Sequence, residues 1–285
     1  WPTIMFFSAF SMALSSANLA LISQYIGAKE FKTASRVASK YFTVSVALGL
    51  SFGITFIILR PIIFTYVIRT PIEIRDEVIA YAGIIAFNVM VSYIVLAYST
   101  ILQSVGDTRR PAMVNGLTSL TNIVLDPFLI LGIGPFPRLG VVGAAIATVS
   151  SSVLGAIALF LIIEKSYPDL KVRLIRDIGI DWVIANLKIG LPVLVLIIAN
   201  SIAKMTQLRL VNIFGVAVAT AYSIGFIVMD LADASLRGFS RASAIMVGQS
   251  IGARLKDRAR KIALRTSMFI FIATAIGASI VYLLR

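Results

Sequence analysis

The sequence predicts an all-α polytopic membrane protein with eight transmembrane helices, and three observations carry that prediction. The 285-residue chain is 59% hydrophobic and only 14% charged, against roughly 45–50% and about 25% for a soluble domain. Eight stretches approach or exceed the roughly 20 apolar residues that cross a bilayer. Basic residues gather after every second stretch, the signature of loops held on the cytoplasmic face.

The spans are 1–26, 41–68, 78–102, 111–133, 140–163, 189–214, 216–250 and 264–284. The first carries no charge before Lys29, and the last runs from Thr266 to Leu284 without one. The connectors after spans one, three, five and seven hold 17 of the 26 basic residues. They include Lys29, Lys32, Arg36 and Lys40 at the first and Arg254, Lys256, Arg258, Arg260, Lys261 and Arg265 at the last. Span one therefore ends in the cytoplasm, and the net charge of +13 is a topology signal. A nucleic-acid partner, which needs that charge on a soluble patch, is not expected. The connector 164–189 is the longest and separates 1–163 from 190–285. Within it, 181–189 has the pattern of a short amphipathic helix on the membrane surface, with Trp182 in the interfacial belt.

Cys and His are both absent. No disulfide framework exists, and no imidazole or thiolate can hold zinc, copper or an iron–sulfur cluster. No nucleophile–base pair marks an enzyme. Proton traffic must use carboxylates.

An internal repeat sets the architecture. Residues 23–40 (SQYIGAKEFKTASRVASK) align without gaps on 248–265 (GQSIGARLKDRARKIALR) at an offset of 225. Gln24, Ile26, Gly27 and Ala28 match Gln249, Ile251, Gly252 and Ala253, and Lys29 matches Arg254. Span one thus corresponds to span seven. A six-helix unit is even, so both copies share one orientation, as in parallel-repeat transporters. The full plan is two lobes of six helices: 1–163 belongs to the first lobe, 164–189 is the inter-lobe linker, and 190–285 begins the second. The chain reads as cut at both ends.

Asp126 stands in the fourth apolar span, where a carboxylate costs about 2.5–3.5 kcal/mol at the bilayer centre and is a functional candidate by default. Asn122 lies one helical turn before it on the same face. Pro127 disfavours regular helix at Asp126 and frees backbone carbonyls. The group is oxygen-rich and suits a proton or a hard cation such as Na⁺. Thr148 could add a hydroxyl from span five. A second polar group comprises Lys204, Gln207, Arg209, Asp230, Asp233, Arg237 and Arg241, in which Asp233 and Arg237 are spaced for an ion pair.

The stretch 102–149, from LQSVGDTRRP through NIVLDP to GVVGAAIATV, together with the paired Q-x-I-G-A-[KR] at 24–29 and 249–254, resembles the multidrug and toxic compound extrusion (MATE) transporters. Ser104 and Val105 intervene where the family's loop joins Gln to Gly directly. The resemblance implies that the spans are helices two to nine of twelve. It implies a cation site (H⁺ or Na⁺) at Asp126, Asn122 and Thr148, with Tyr81 and Ser119 lining the same cavity. The family's partner Asp on its first helix would precede Trp1. A helix-seven Glu of other subfamilies falls on Asn200, which stands as a substrate-cavity candidate. The implied function is a secondary antiporter of the cell membrane, exporting lipophilic or cationic small molecules in exchange for H⁺ or Na⁺. It would have no cofactor and act as a monomer at full length. A lipid-linked oligosaccharide flippase of the wider superfamily is the alternative, to be judged by whether Lys204, Arg209, Arg237 and Arg241 face a central cleft.

Overall fold

The computed structural model describes residues 2–67, 75–212 and 216–283. Eight α-helices account for nearly all of them: α1 (Pro2–Gly27), α2 (Phe31–Ile62), α3 (Arg75–Ser104), α4 (Arg109–Leu131), α5 (Val141–Ser166), α6 (Ile180–Asn212), α7 (Val216–Gly252) and α8 (Lys256–Leu283). A π-helical turn, Ile63–Val67, extends α2. Among the described residues, six helices are long and apolar enough to cross a membrane. The physical reason for an all-helical bundle is that lipid offers the backbone no hydrogen-bond partner, so each segment must satisfy its own amides.

Several boundaries differ from the sequence expectation. Helix α2 starts at Phe31, ten residues before the apolar span, and α8 starts at Lys256 rather than 264. Lys32, Arg36 and Lys40 thus ride on the first turns of α2. Apolarity marks the part of a helix in lipid, whereas the helix itself continues into the aqueous layer.

The short surface helix at 181–189 does not exist separately. It is the first third of α6, which runs continuously to Asn212 with Pro192 inside it. Trp182 is not in an interfacial belt either. It is 7% exposed and packs in the main core with Leu170 and Val172, because the connector folds back over it.

Helix α1 is the hub, touching α2, α3, α6 and α7. Small residues permit this. Ala9, Ala13 and Ala17 recur at i, i+4, i+8 and are buried, and a Cβ on Gly190 of α6 would meet the Ala13 carbonyl at 3.3 Å. Such stripes let backbones approach where lipid supplies no hydrophobic drive between helices. Polar side chains complete the joint: Asn18 donates to Asn186 across α1 and α6 at 2.6 Å, and Ser15 and Thr100 share a 2.7 Å bond across α1 and α3.

The repeat found in the sequence is a repeat in three dimensions. Lys29 and Arg254 both have φ 61°. The Glu30 and Lys29 amides donate to the Tyr25 and Ile26 carbonyls, and the Leu255 and Arg254 amides donate to those of Ser250 and Ile251. Each is a Schellman cap closing its helix. The two copies also touch one another reciprocally. A Cβ on Gly27 would overlap the Gln249 carbonyl, and a Cβ on Gly252 would overlap the Gln24 carbonyl. Reciprocal contacts between equivalent residues are the mark of a two-fold axis, which passes through the α1–α7 crossing.

Candidate functional site

Asn122 and Asp126 lie on α4 one turn apart, both half-buried, and the Asn122 amide donates to Asp126 Oδ1 over 3.4 Å. Ser119 continues the same face at i, i+3, i+7 spacing and is exposed. Asp126 lies past the midpoint of α4. It stands five residues from the end of α4 at Leu131, about 8 Å along the axis, in the third of the helix farthest from the basic loops. Pro127 does not break the helix, which is α-helical through Leu131. The missing amide costs one bond only, leaving the Ile123 carbonyl one turn earlier without its helical donor.

Helix α4 stops at Gly132, left-handed at φ 73°, with its amide on the Phe128 carbonyl at 3.1 Å. The chain returns as α5, and two close approaches set the antiparallel register. Gly143 lies against the Leu129 backbone, and Gly155 lies beside the Thr118 hydroxyl. That register brings Thr148 to within about two residues of the level of Asp126. The Thr148 hydroxyl donates to the Ala144 carbonyl at 2.9 Å, so its oxygen has only lone pairs left to offer.

The other candidates stand apart. Tyr81 is half-buried in the second turn of α3, and no described hydrogen bond joins it to Asn122 or Asp126. Asn200 is exposed on α6 and donates to the Leu196 carbonyl at 3.0 Å.

The second polar group is dispersed. The side chains of Arg209, Asp230 and Asp233 lie outside the described residues, so the expected Asp233–Arg237 pair does too. Gln207 accepts from Tyr222 at 3.0 Å. Lys204 and Arg237 are exposed and each engages neighbours. Arg241 donates to Ser15 Oγ on α1 at 2.9 Å and borders a cavity of about 230 Å³. The sequence reading named Arg241 but missed the other walls of that cavity. The available signal was a polar stripe on α3, with Ser92, Ser99 and Gln103 at helical spacing.

The basic-end connector is tied down. Ser35 and Ser39 of α2 donate to the Lys171 carbonyl at 2.9 and 3.1 Å. Ser39 and Thr43 accept the Arg173 and Ile175 amides at 3.2 and 3.0 Å, and Arg36 pairs with Asp177. Tyr167 donates to Asp107 Oδ2 at 3.0 Å. Burial first, then that bond to a carboxylate, pushes its phenol above the ordinary value.

Membrane-length helices arranged around a two-fold repeat define the class, a multi-pass membrane protein with a transporter fold. The MatE family model matches residues 1–128. The probable multidrug resistance protein YoeA of Bacillus subtilis (strain 168) is 27% identical over 271 residues, 92% of this chain and 57% of the relative. The probable multidrug resistance protein NorM of Thermotoga maritima is 33% identical over 191 residues, 65% of this chain and 40% of the relative. An outward-facing structure of a multidrug resistance MATE family transporter of the MOP superfamily superposes with a TM-score of 0.82 at 25% identity, covering 97% of this chain and 61% of that one. The chain is thus similar to the MATE transporters, through the family model over residues 1–128 and through these relatives over most of its length. It spans a little over half the length of YoeA.

Proposed function

We propose that this chain is part of a secondary antiporter that exports lipophilic or cationic small molecules in exchange for H⁺ or Na⁺, coupled at Asp126. The observation that carries the reading is the Asn122–Asp126 pair inside a membrane helix. An ionised carboxylate there is costly unless neutralised. A proton removes the charge, and Na⁺ balances it with oxygen ligands. Oxygens suited to Na⁺ are the Asp126 carboxylate, the Asn122 amide oxygen after rotation, the Ile123 carbonyl freed by Pro127, and Thr148 Oγ1.

Antiport follows if the ion and the exported compound stabilise opposite states of the bundle, since a ligand moves an equilibrium only by its differential affinity. The close α1–α7 crossing at the basic end supports one such state, shut on that side. The multidrug names of YoeA and NorM support drug-like cargo.

The flippase alternative needs a broad cationic cavity. Of its four basic residues, Arg241, Lys204 and Arg237 are all exposed, of these three Arg241 lines the cavity, and the Arg209 side chain lies outside the described residues. This favours the antiporter.

The test is export of a cationic dye from proteoliposomes by the full-length protein, under a pH gradient and, separately, a Na⁺ gradient. One gradient is expected to drive export and Asp126→Asn to abolish the coupling. Unchanged coupled export by that variant overturns the mechanism.

A further inference from the structure

Arg241 lies eleven residues before the end of α7 at Gly252, about 16 Å in from the basic end and so near mid-bilayer. A guanidinium at that depth is expensive and ordinarily finds a carboxylate. Among the described residues Arg241 has no such partner. Its one hydrogen bond goes to a neutral hydroxyl, Ser15 Oγ. That hydroxyl is fixed in turn by Thr100, which donates to the Leu96 carbonyl at 2.7 Å.

The space Arg241 borders is walled by uncharged polar groups from three other helices: Ser99 and Gln103 of α3, Asn115 and Thr118 of α4, and Ser152 of α5. Among the described residues, no carboxylate lines it. Two of these walls are unsatisfied. Ser99 is 4% exposed, yet its Oγ has no partner, and Gln103 Oε1 has none either. Both residues line the cavity that Arg241 borders. Serine in a helix usually returns its hydroxyl to the carbonyl one turn back, as Ser104 does to Thr100 at 2.7 Å. Ser99 does not.

We propose that this cavity is a subsite for an oxyanion, the carboxylate or phosphate of an amphiphilic molecule, with Arg241 as its counter-charge. This deepens the transporter reading by adding a substrate class, and it rests on that reading. Four of the five guanidinium donors are uncommitted, and their planar fork matches an oxyanion bidentately. The Ser99 hydroxyl donates to the same group. Gln103, turned about its amide, presents its NH₂ instead of the orphan oxygen. The volume of about 230 Å³ is below the roughly 300–1,000 Å³ of drug-sized pockets. It therefore holds an anionic head, while the apolar remainder extends through the open mouth. Thr118 is eight residues before Asp126 on α4, about 12 Å away. The subsite is thus distinct from the Asp126 pair and opposite to it in sign.

The test is calorimetric titration of the purified full-length protein in phosphatidylcholine nanodiscs. Three probes share an aromatic ring: phenyl phosphate, benzoate and benzyl alcohol. At least one anion is expected to bind saturably and the alcohol not at all, and the preferred anion identifies phosphate or carboxylate. Arg241→Gln should weaken binding about tenfold or more, as befits a lost charged hydrogen bond, with Arg241→Lys intermediate and Ser99→Ala weaker than wild type. Equal binding of the alcohol, absence of anion binding, or unchanged binding by Arg241→Gln overturns the proposal. Should Arg241→Gln fail to fold, Ser99→Ala and Gln103→Leu decide, and unchanged anion binding by both overturns it. Binding is read without any gradient. Loss of coupled export with anion binding intact therefore sinks the transport reading alone, and the converse sinks only the subsite.

Discussion

Lys29 and Arg254 occupy the left-handed region at φ 61°, while Gly27 and Gly252 are ordinary helix residues just before them. A glycine ahead of a polar loop reads in sequence as the helix cap. Here the glycine is kept for close approach to the other repeat, and a cation takes the strained position. The partner carbonyls lie some 225 residues away, which is why local pattern could not separate the two roles. An L-residue in that region costs roughly 1–2 kcal/mol, part of which glycine's extra unfolded-state freedom offsets. Lys29→Gly should therefore raise stability by up to about 1 kcal/mol, whereas Gly27→Val should lower it by about 1–3 kcal/mol or more through overpacking. Thermal unfolding in detergent reads both, and shifts of the same sign would refute the assignment. The Asn122–Asp126 pair was legible because i, i+4 spacing is local. Its position along the helix was legible too, since the expected span 111–133 and α4 differ by two residues at each end. Tyr167 carries a pH prediction. Its phenol titrates above the ordinary value of 10 when folded, so the fold binds that proton more tightly. The associated stability is fully present below pH 10 and is lost as pH climbs through the folded value. Tyr167→Phe should remove this alkaline loss, seen as a flatter melting temperature above pH 10.

At the scale of elements, the connector is bound to α2 by matched repeats. Ser35, Ser39 and Thr43 step four residues along a helix while Lys171, Arg173 and Ile175 step two along an extended chain. Four helical residues rise about 6.0 Å and two extended residues about 6.6 Å, so the ladders stay in step. The same alternation turns Leu170 and Val172 into the core and leaves Lys171 and Arg173 exposed. One residue inserted between Val172 and Arg173 should throw the pattern out of phase. Two should restore it with a slip of one helical turn. Limited proteolysis of the connector is the measurement: faster cleavage is expected for the single insertion than for the double, and the reverse order would count against the ladder. The sequence marked this segment as a linker from its length and charge, but its docking on α2 depends on hydroxyls that look unremarkable in an amphipathic helix. Trp182 was misplaced for the same reason. Its burial is created by a connector whose path no periodicity encodes.

Across the whole molecule, the alternation of basic ends and the offset repeat were readable because both are global patterns that tolerate local error. The reciprocal crossing of α1 and α7 adds what they could not, namely which surfaces meet. Ser23 and Gly248 are equivalent by the repeat, and a Cβ on Gly248 would lie 2.9 Å from that of Ser23, slightly inside the roughly 3.5–4.5 Å of a disulfide. The chain has no native cysteine. Ser23→Cys with Gly248→Cys should therefore cross-link on mild oxidation and arrest dye export until reduced. Absence of the cross-link would show that the basic end is not held shut in this way. The reciprocity has a further consequence. In separate polypeptides such a self-complementary contact would be a dimer interface, and its occupancy would fall on dilution by mass action. Carried twice on one chain, it becomes an intramolecular equilibrium governed by an effective concentration. How far this gate is closed should be indifferent to how many copies the membrane holds.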